Sequence, residues 1–263
     1  MPWKALIAEA IATFALCFVG AGAIMTNDHL GDQGFGLVGI ALAHGLILAV
    51  VVTATMNVSG GHVNPAVTFA MLLIRRISLV NAMAYVLAQL VGGILAGLLL
   101  YQVVFKDIYV AHTTESVVLR TSNGTPNYDV AKLAPPEQIG SPAAAEQNTG
   151  KAAIRAVTIE AILTFLLVFA VFGSAVDPRH PNVGGFAIGL TVAADILIGG
   201  PLTGAAMNPA RVVGTAFPML FAGGSLLAQQ WVYWVGPLLG GALAGLVYQH
   251  AILEPKSPAA PAD

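Results

Sequence analysis

Ser59-Gly60-Gly61-His62-Val63-Asn64-Pro65-Ala66 and Thr203-Gly204-Ala205-Ala206-Met207-Asn208-Pro209-Ala210-Arg211 decide the fold of this chain. In each, a run of small residues leads into Asn-Pro, and each Asn-Pro opens a short apolar stretch, 64–73 and 208–218. At ~1.5 Å per helical residue, such a stretch covers about half of a ~30 Å hydrocarbon core. Proline is best tolerated in the first turn of a helix, and asparagine is a good cap before it. The reading is therefore two half-helices that start at Asn64 and Asn208.

Six longer apolar stretches surround them, at about 5–26, 36–57, 82–105, 152–173, 184–200 and 229–252. Each can span a bilayer, which takes ~20 helical residues. In the fifth, Asp195 interrupts the run and Gly199-Gly200-Pro201 ends it. The composition requires lipid as the main solvent. Of the 263 residues, 57% are hydrophobic and only 9% charged, whereas a soluble domain carries about 25% charged residues. A net charge of -2 excludes a nucleic-acid partner. The one cysteine, Cys17, rules out an internal disulfide and a multi-cysteine metal site, and no metal or cofactor is expected.

The two halves repeat each other. Ala8-Glu9-Ala10-Ile11 corresponds to Ile159-Glu160-Ala161-Ile162, and Asn64-Pro65-Ala66 to Asn208-Pro209-Ala210. Gly92-Gly93-Ile94-Leu95-Ala96-Gly97 corresponds to Gly240-Gly241-Ala242-Leu243-Ala244-Gly245, at nearly the same offset. Three spans per half invert the second copy, so the half-helices enter from opposite faces and meet near the midplane. The expected organisation is an all-α membrane protein with a single domain over 1–252: repeat one 4–105, an extramembrane loop 106–150 and repeat two 151–252. The Ala/Pro-rich tail 253–263 is expected to be disordered. Arg75, Arg76 and Arg179 in short loops place both termini in the cytoplasm by the positive-inside rule.

Where two helix N-termini meet, each brings roughly +0.5 charge and unpaired N–H groups. Asn64 and Asn208 sit at those ends and can cap with their carbonyl oxygens while turning NH2 donors to water. The paired positive ends oppose cations. The carbonyls of Gly60, Gly61 and His62, and of Gly204, Ala205 and Ala206, are candidates for an acceptor ladder, because irregular backbone at membrane depth must be buried or line a water path. Glu9 and Glu160, matched within the first and fourth spans, are expected to accept backbone N–H bonds from these approaches as structural braces.

With Ser59 to Thr68, Gly204 to Arg211 and Trp231-Val232-Tyr233-Trp234-Val235-Gly236-Pro237, the chain resembles the aquaporin (major intrinsic protein) family over about 5–252. The resemblance implies a six-helix bundle with one pore per subunit, assembled as a homotetramer. It implies a selectivity filter of His44, Ile196, Ala205 and Arg211, a combination similar to the plant tonoplast intrinsic proteins. The solute is then water, with ammonia, hydrogen peroxide and urea as further candidates. Glycerol is disfavoured because Val212 follows the arginine where glycerol-conducting relatives carry aspartate.

Two features depart from the tonoplast pattern: the length of 106–150, and Asp195 where those proteins carry asparagine. Asp195 either pairs with His44 or Arg211 across the filter, or serves outside it. The host is a cell membrane, or a vacuolar membrane in a plant. A secondary transporter with ion-coupling carboxylates and a channel-like adhesion or sensor protein stand as rival classes. An enzyme is not expected, since no nucleophile–base pair or metal cluster is visible.

Overall fold

The computed structural model describes residues 3–105, 124–128, 133, 142–179, 181, 183–221 and 228–253. Much of the 106–150 loop and most of the 253–263 tail, with the disorder expected there, lie outside the described residues. Among the described residues eight α-helices follow one another: α1 (Trp3–Leu30), α2 (Gly36–Ser59), α3 (Pro65–Leu73), α4 (Leu79–Leu99), α5 (Pro142–Val171), α6 (Phe186–Thr203), α7 (Pro209–Ala216) and α8 (Val232–Val247). Six of them are long and apolar enough to cross a membrane, and α3 and α7 are the two short ones.

Three boundaries differ from the sequence reading. Helix α5 begins at Pro142, so the last nine residues assigned to the loop are its first turns. Pro142 stands at the first position, where its missing N–H costs no bond, and Ala143-Ala144-Ala145 are strong helix formers. Helix α6 runs through Pro201 to Thr203 and ends at Gly204, whose φ of 80° gives the left-handed cap. A proline in the last turn removes one hydrogen bond, which is too little to end the helix there. The half-helix expected over 208–218 ends at Ala216 and continues as a tighter turn over Phe217–Phe221.

Helix contacts follow the repeat. The pairs α1–α2 and α1–α4 in the first half correspond to α5–α6 and α5–α8 in the second. Each half-helix crosses into the other half, α3 packing on α8 and α7 on α4. Small residues permit these approaches. A Cβ at Gly93 would press on the Ala210 carbonyl at 2.6 Å, and one at Gly241 on the Ala66 carbonyl at 2.9 Å. Gly92 and Gly240 are equally tight against the Ala10 and Ala161 carbonyls. Without a hydrophobic drive between helices in lipid, such close backbone packing supplies much of the association. The halves touch along α2–α6, where Gly45 and Gly189 each face the other's carbonyl.

At the opposite end of α5, Asp177 accepts two bonds from the Arg179 side chain, at 3.0 and 2.7 Å, and one from the Tyr248 hydroxyl at 3.2 Å. Arg179 also donates to the Ile252 carbonyl, which ties the ends of α5 and α8 together. The guanidinium holds the Asp177 carboxyl well below the usual carboxylate range.

Gly189→Val would drive a branched side chain into the α2 backbone. Overpacking of this kind costs about 1–3 kcal/mol. The expected result is a clear fall in the thermal midpoint of the detergent-solubilised protein, while Leu190→Val on the exposed flank leaves it nearly unchanged. Equal midpoints for the two variants would contradict the packing described.

Candidate functional site

The half-helix ends meet through a reciprocal pair of hydrogen bonds. Asn64 caps α3 by accepting from the Ala66 N–H at 2.8 Å, and its Nδ2 donates to the Met207 carbonyl at 2.8 Å. Asn208 caps α7 by accepting from Ala210 and Arg211 N–H, and its Nδ2 donates to the Val63 carbonyl at 2.9 Å. Each side-chain amide therefore spends one N–H on the opposite half. One N–H per asparagine is left for a passing solute, where the sequence reading turned both outward.

The carbonyls that accept these bonds belong to residues in an uncommon backbone state. Val63 and Met207 have φ of 56° and 52°, the left-handed region, where a β-branched valine is an outlier. Their N–H groups are held from the other side. Glu9 accepts from Val63 N at 2.6 Å, His62 N at 2.9 Å, Ser59 Oγ at 2.6 Å and Gln89 Nε2 at 2.7 Å. Glu160 accepts from Met207 N at 2.7 Å, Ala206 N at 3.0 Å and Thr203 Oγ1 at 2.6 Å. Tyr85 and Tyr233 add matching hydroxyl bonds to the Ser59 and Thr203 carbonyls. The fourth donor to Glu9 has no counterpart, since Pro237 stands where the repeat would place a second Gln89.

Beside this junction runs a narrow cavity of about 30 Å³, room for a few waters. Its apolar wall repeats at an offset of 144 residues: Leu48 and Val52 on α2, Val192 and Ile196 on α6. Gly61, His62, Ala205 and Ala206 from the irregular approaches face it as well; Gly60 is not among its lining residues. The symmetry fails at three positions: His44 is matched by Ile188, Arg211 by Val67 and His62 by Ala206, so the fixed guanidinium stands at one end only.

At that end Arg211, 2% exposed, donates Nη1 to the Ala205 carbonyl at 3.0 Å and to that of Gly204 at 3.3 Å, while its Nε has no protein partner. His44 Nδ1 lies 2.9 Å from the Ile40 carbonyl. A carbonyl only accepts, so Nδ1 carries the proton and Nε2 of the neutral ring is a free acceptor. Gly20 leaves the space for this ring, because a Cβ there would fall 2.5 Å from Nε2. His44, Ile196 and Arg211 also line a wider vestibule of about 320 Å³.

The vestibule shows what the sequence reading missed. Residues 124–128 of the long loop return over it, with Thr125, Pro126 and Asn127 in its wall. Two bonds between Tyr128 and Gln229, at 3.0 and 3.1 Å, pin the segment. The signal in the sequence was the turn chemistry of Asn123-Gly124-Thr125-Pro126 inside an otherwise unpatterned loop. For Asp195 the structure matches the second of the two alternatives, a place outside the filter. It forms no ion pair or hydrogen bond with His44 or Arg211 and does not line the cavity. One residue of helix rotates by ~100°, so with Ile196 in the wall Asp195 turns to the flank that carries Gly199 against Leu163 of α5.

Mutation can read both braces. In Glu9→Gln the Ser59 hydroxyl can turn to accept from the amide NH2, which then faces one fixed donor, His62 N; in Glu160→Gln it can be turned to face one, Met207 N. A buried donor left unpaired costs about 1–3 kcal/mol. Both variants should melt lower than the parent, by similar amounts. No shift in either would contradict the bonding described.

Comparison with known proteins agrees with this architecture. The family model described as Major intrinsic protein matches residues 1–248. Aquaporin TIP4-4 of Zea mays is 43% identical over 93% of this chain and 85% of its own. Probable aquaporin TIP3-2 of Arabidopsis thaliana is 40% identical over 95% and 84%. These relatives are tonoplast intrinsic proteins, the subgroup that the filter positions resemble. The X-ray structure of the aquaglyceroporin from Plasmodium falciparum superposes with a TM-score of 0.73 at 20% identity, covering 96% of this chain and 97% of that one, and shows the shared fold. This chain is a multi-pass membrane protein that belongs to the major intrinsic protein family.

Proposed function

We propose that the protein is a passive channel for water, with the path running through the cavity between the two half-helices. The observation that carries this reading is the junction itself: two capped helix N-termini held end to end beside a cavity of about 30 Å³. Apolar stripes on α2 and α6 give water few partners to linger on. The remaining N–H groups of Asn64 and Asn208, with carbonyls of Gly61, His62, Gly204, Ala205 and Ala206, replace the bonds it loses. The Gly60 carbonyl completes the approach behind them.

Two helix N-termini and the Arg211 guanidinium place positive charge along a dehydrated path, which opposes hydronium and other cations. His44, Ile196, Ala205 and Arg211 form the filter in this reading. Its open face is aliphatic, which suits ammonia, hydrogen peroxide and urea as secondary solutes better than glycerol. Glu9 and Glu160 act as braces: every oxygen of each accepts a bond, which leaves none to couple an ion and supports a channel over a transporter. The similarity to aquaporins supports transport rather than enzymatic chemistry. A homotetramer with cytoplasmic termini completes the reading. The exposed stripe Val38, Leu42, Leu46 and Val50 of α2 is the candidate contact between subunits.

Arg211→Val tests the filter. Removing the fixed charge and its bulk should raise urea uptake and proton leak in proteoliposomes about tenfold, the effect of lowering a barrier by about 1.4 kcal/mol. Rates equal to the parent's at equal protein density would remove Arg211 from the constriction.

A further inference from the structure

An apolar groove of about 350 Å³ opens on the outside of the bundle, away from the water path. Phe69 and Leu72 of α3, Leu79, Met83 and Leu87 of α4, and Trp234 of α8 form its walls. From Leu79 to Leu87 the helix rises ~12 Å, most of one ~15 Å leaflet. The groove therefore has the depth of a lipid acyl chain and runs from one membrane interface toward the midplane.

The turn that joins its walls carries the charge. Helix α3 ends in a reversal in which Arg76 N–H bonds to the Met71 carbonyl and Arg75 N–H to that of Leu72. Both arginine side chains are exposed, and neither has an ion pair or side-chain hydrogen bond among the described residues. They stand between Leu72 and Leu79, at the interface end of the groove. The N–H groups of Leu79 and Val80 open the first turn of α4 beside them, while Ser78 Oγ is occupied as the cap for Asn81.

The second repeat lacks this combination. Its half-helix runs on into Phe217–Phe221, which packs on α4 with Met219 1% exposed. No basic residue occupies 212–221. The chain covers its own surface there and leaves the first-repeat groove open.

We infer that this groove binds an anionic phospholipid, its acyl chain between α3, α4 and α8 and its phosphate at Arg75 and Arg76. Charge complementarity selects the occupant: an apolar slot alone accepts any chain, and two unpaired guanidiniums at its mouth favour a negative headgroup. The inference stands on the membrane-spanning fold and is independent of the solute conducted.

Trp234 reports on the site directly. The Trp3→Phe, Trp231→Phe protein, which keeps Trp234 as its one tryptophan, would be reconstituted in phosphatidylcholine vesicles. Either phosphatidylglycerol or phosphatidylcholine with brominated chains would be added, and quenching would give their relative binding constants. Phosphatidylglycerol should be favoured about fivefold for each arginine. Arg75→Gln, Arg76→Gln should lose the preference while water permeability, as a check of folding, stays at the parent's value. Millimolar inorganic phosphate should leave the preference intact. Equal binding of the two lipids, a preference that survives in the glutamine variant, or its loss to free phosphate would overturn the assignment. Absence of quenching by either lipid would mean that protein covers the groove, and would overturn it as well.

Discussion

Two helix ends that repel each other must be kept in contact at the centre of a membrane, and the exchange between Asn64 and Asn208 does this. Each asparagine caps its own half-helix with oxygen and crosses to the other with nitrogen. Neither half can be completed alone, because the acceptor for each Nδ2 lies in the other repeat. Carbonyls of irregular backbone at membrane depth thereby find donors. The duplicated chain acts as one unit for this reason.

The exchange requires the Val63 and Met207 carbonyls to point across the junction, which forces both residues into left-handed backbone. Such a state persists only where its surroundings over-determine it. Glu9 and Glu160 supply that from behind by binding the N–H groups of the same residues. Each peptide is thus gripped at both ends, by a carboxylate of its own repeat and an amide of the other. The carboxylates belong to the scaffold, and neither lines the cavity.

Against this symmetry, the departures coincide with the proposed filter. The two-fold mates of His44 and Arg211 are Ile188 and Val67, so the two mouths differ and only one carries a guanidinium. A symmetric passage would have two identical constrictions. The chain builds one with a guanidinium and places residues 124–128 of the loop that joins the halves over it.

Much of this was legible in the letters. Hydrophobic runs revealed the six spans, and the Asn-Pro pairs revealed the half-helices, because bilayer thickness and proline geometry leave few alternatives. Matching Glu9 with Glu160 located the braces, since a carboxylate at that depth needs donors. What stayed hidden depends on distance between elements. Gly45 and Gly189 look like ordinary helix glycines until their carbonyls are seen to face each other. Gln89 gives no sign that it serves Glu9. The letters left Asp195 between two places, although neighbouring residues on a helix face different ways and Ile196 already claimed the passage.

The central claim, that the junction passes water while refusing protons, is tested by measuring osmotic water permeability and proton conductance on the same proteoliposomes. Water permeability should rise with protein density well above that of protein-free vesicles, with proton conductance unchanged. Inserted, folded protein that adds no water permeability, or a proton current that grows in step with it, would contradict the account.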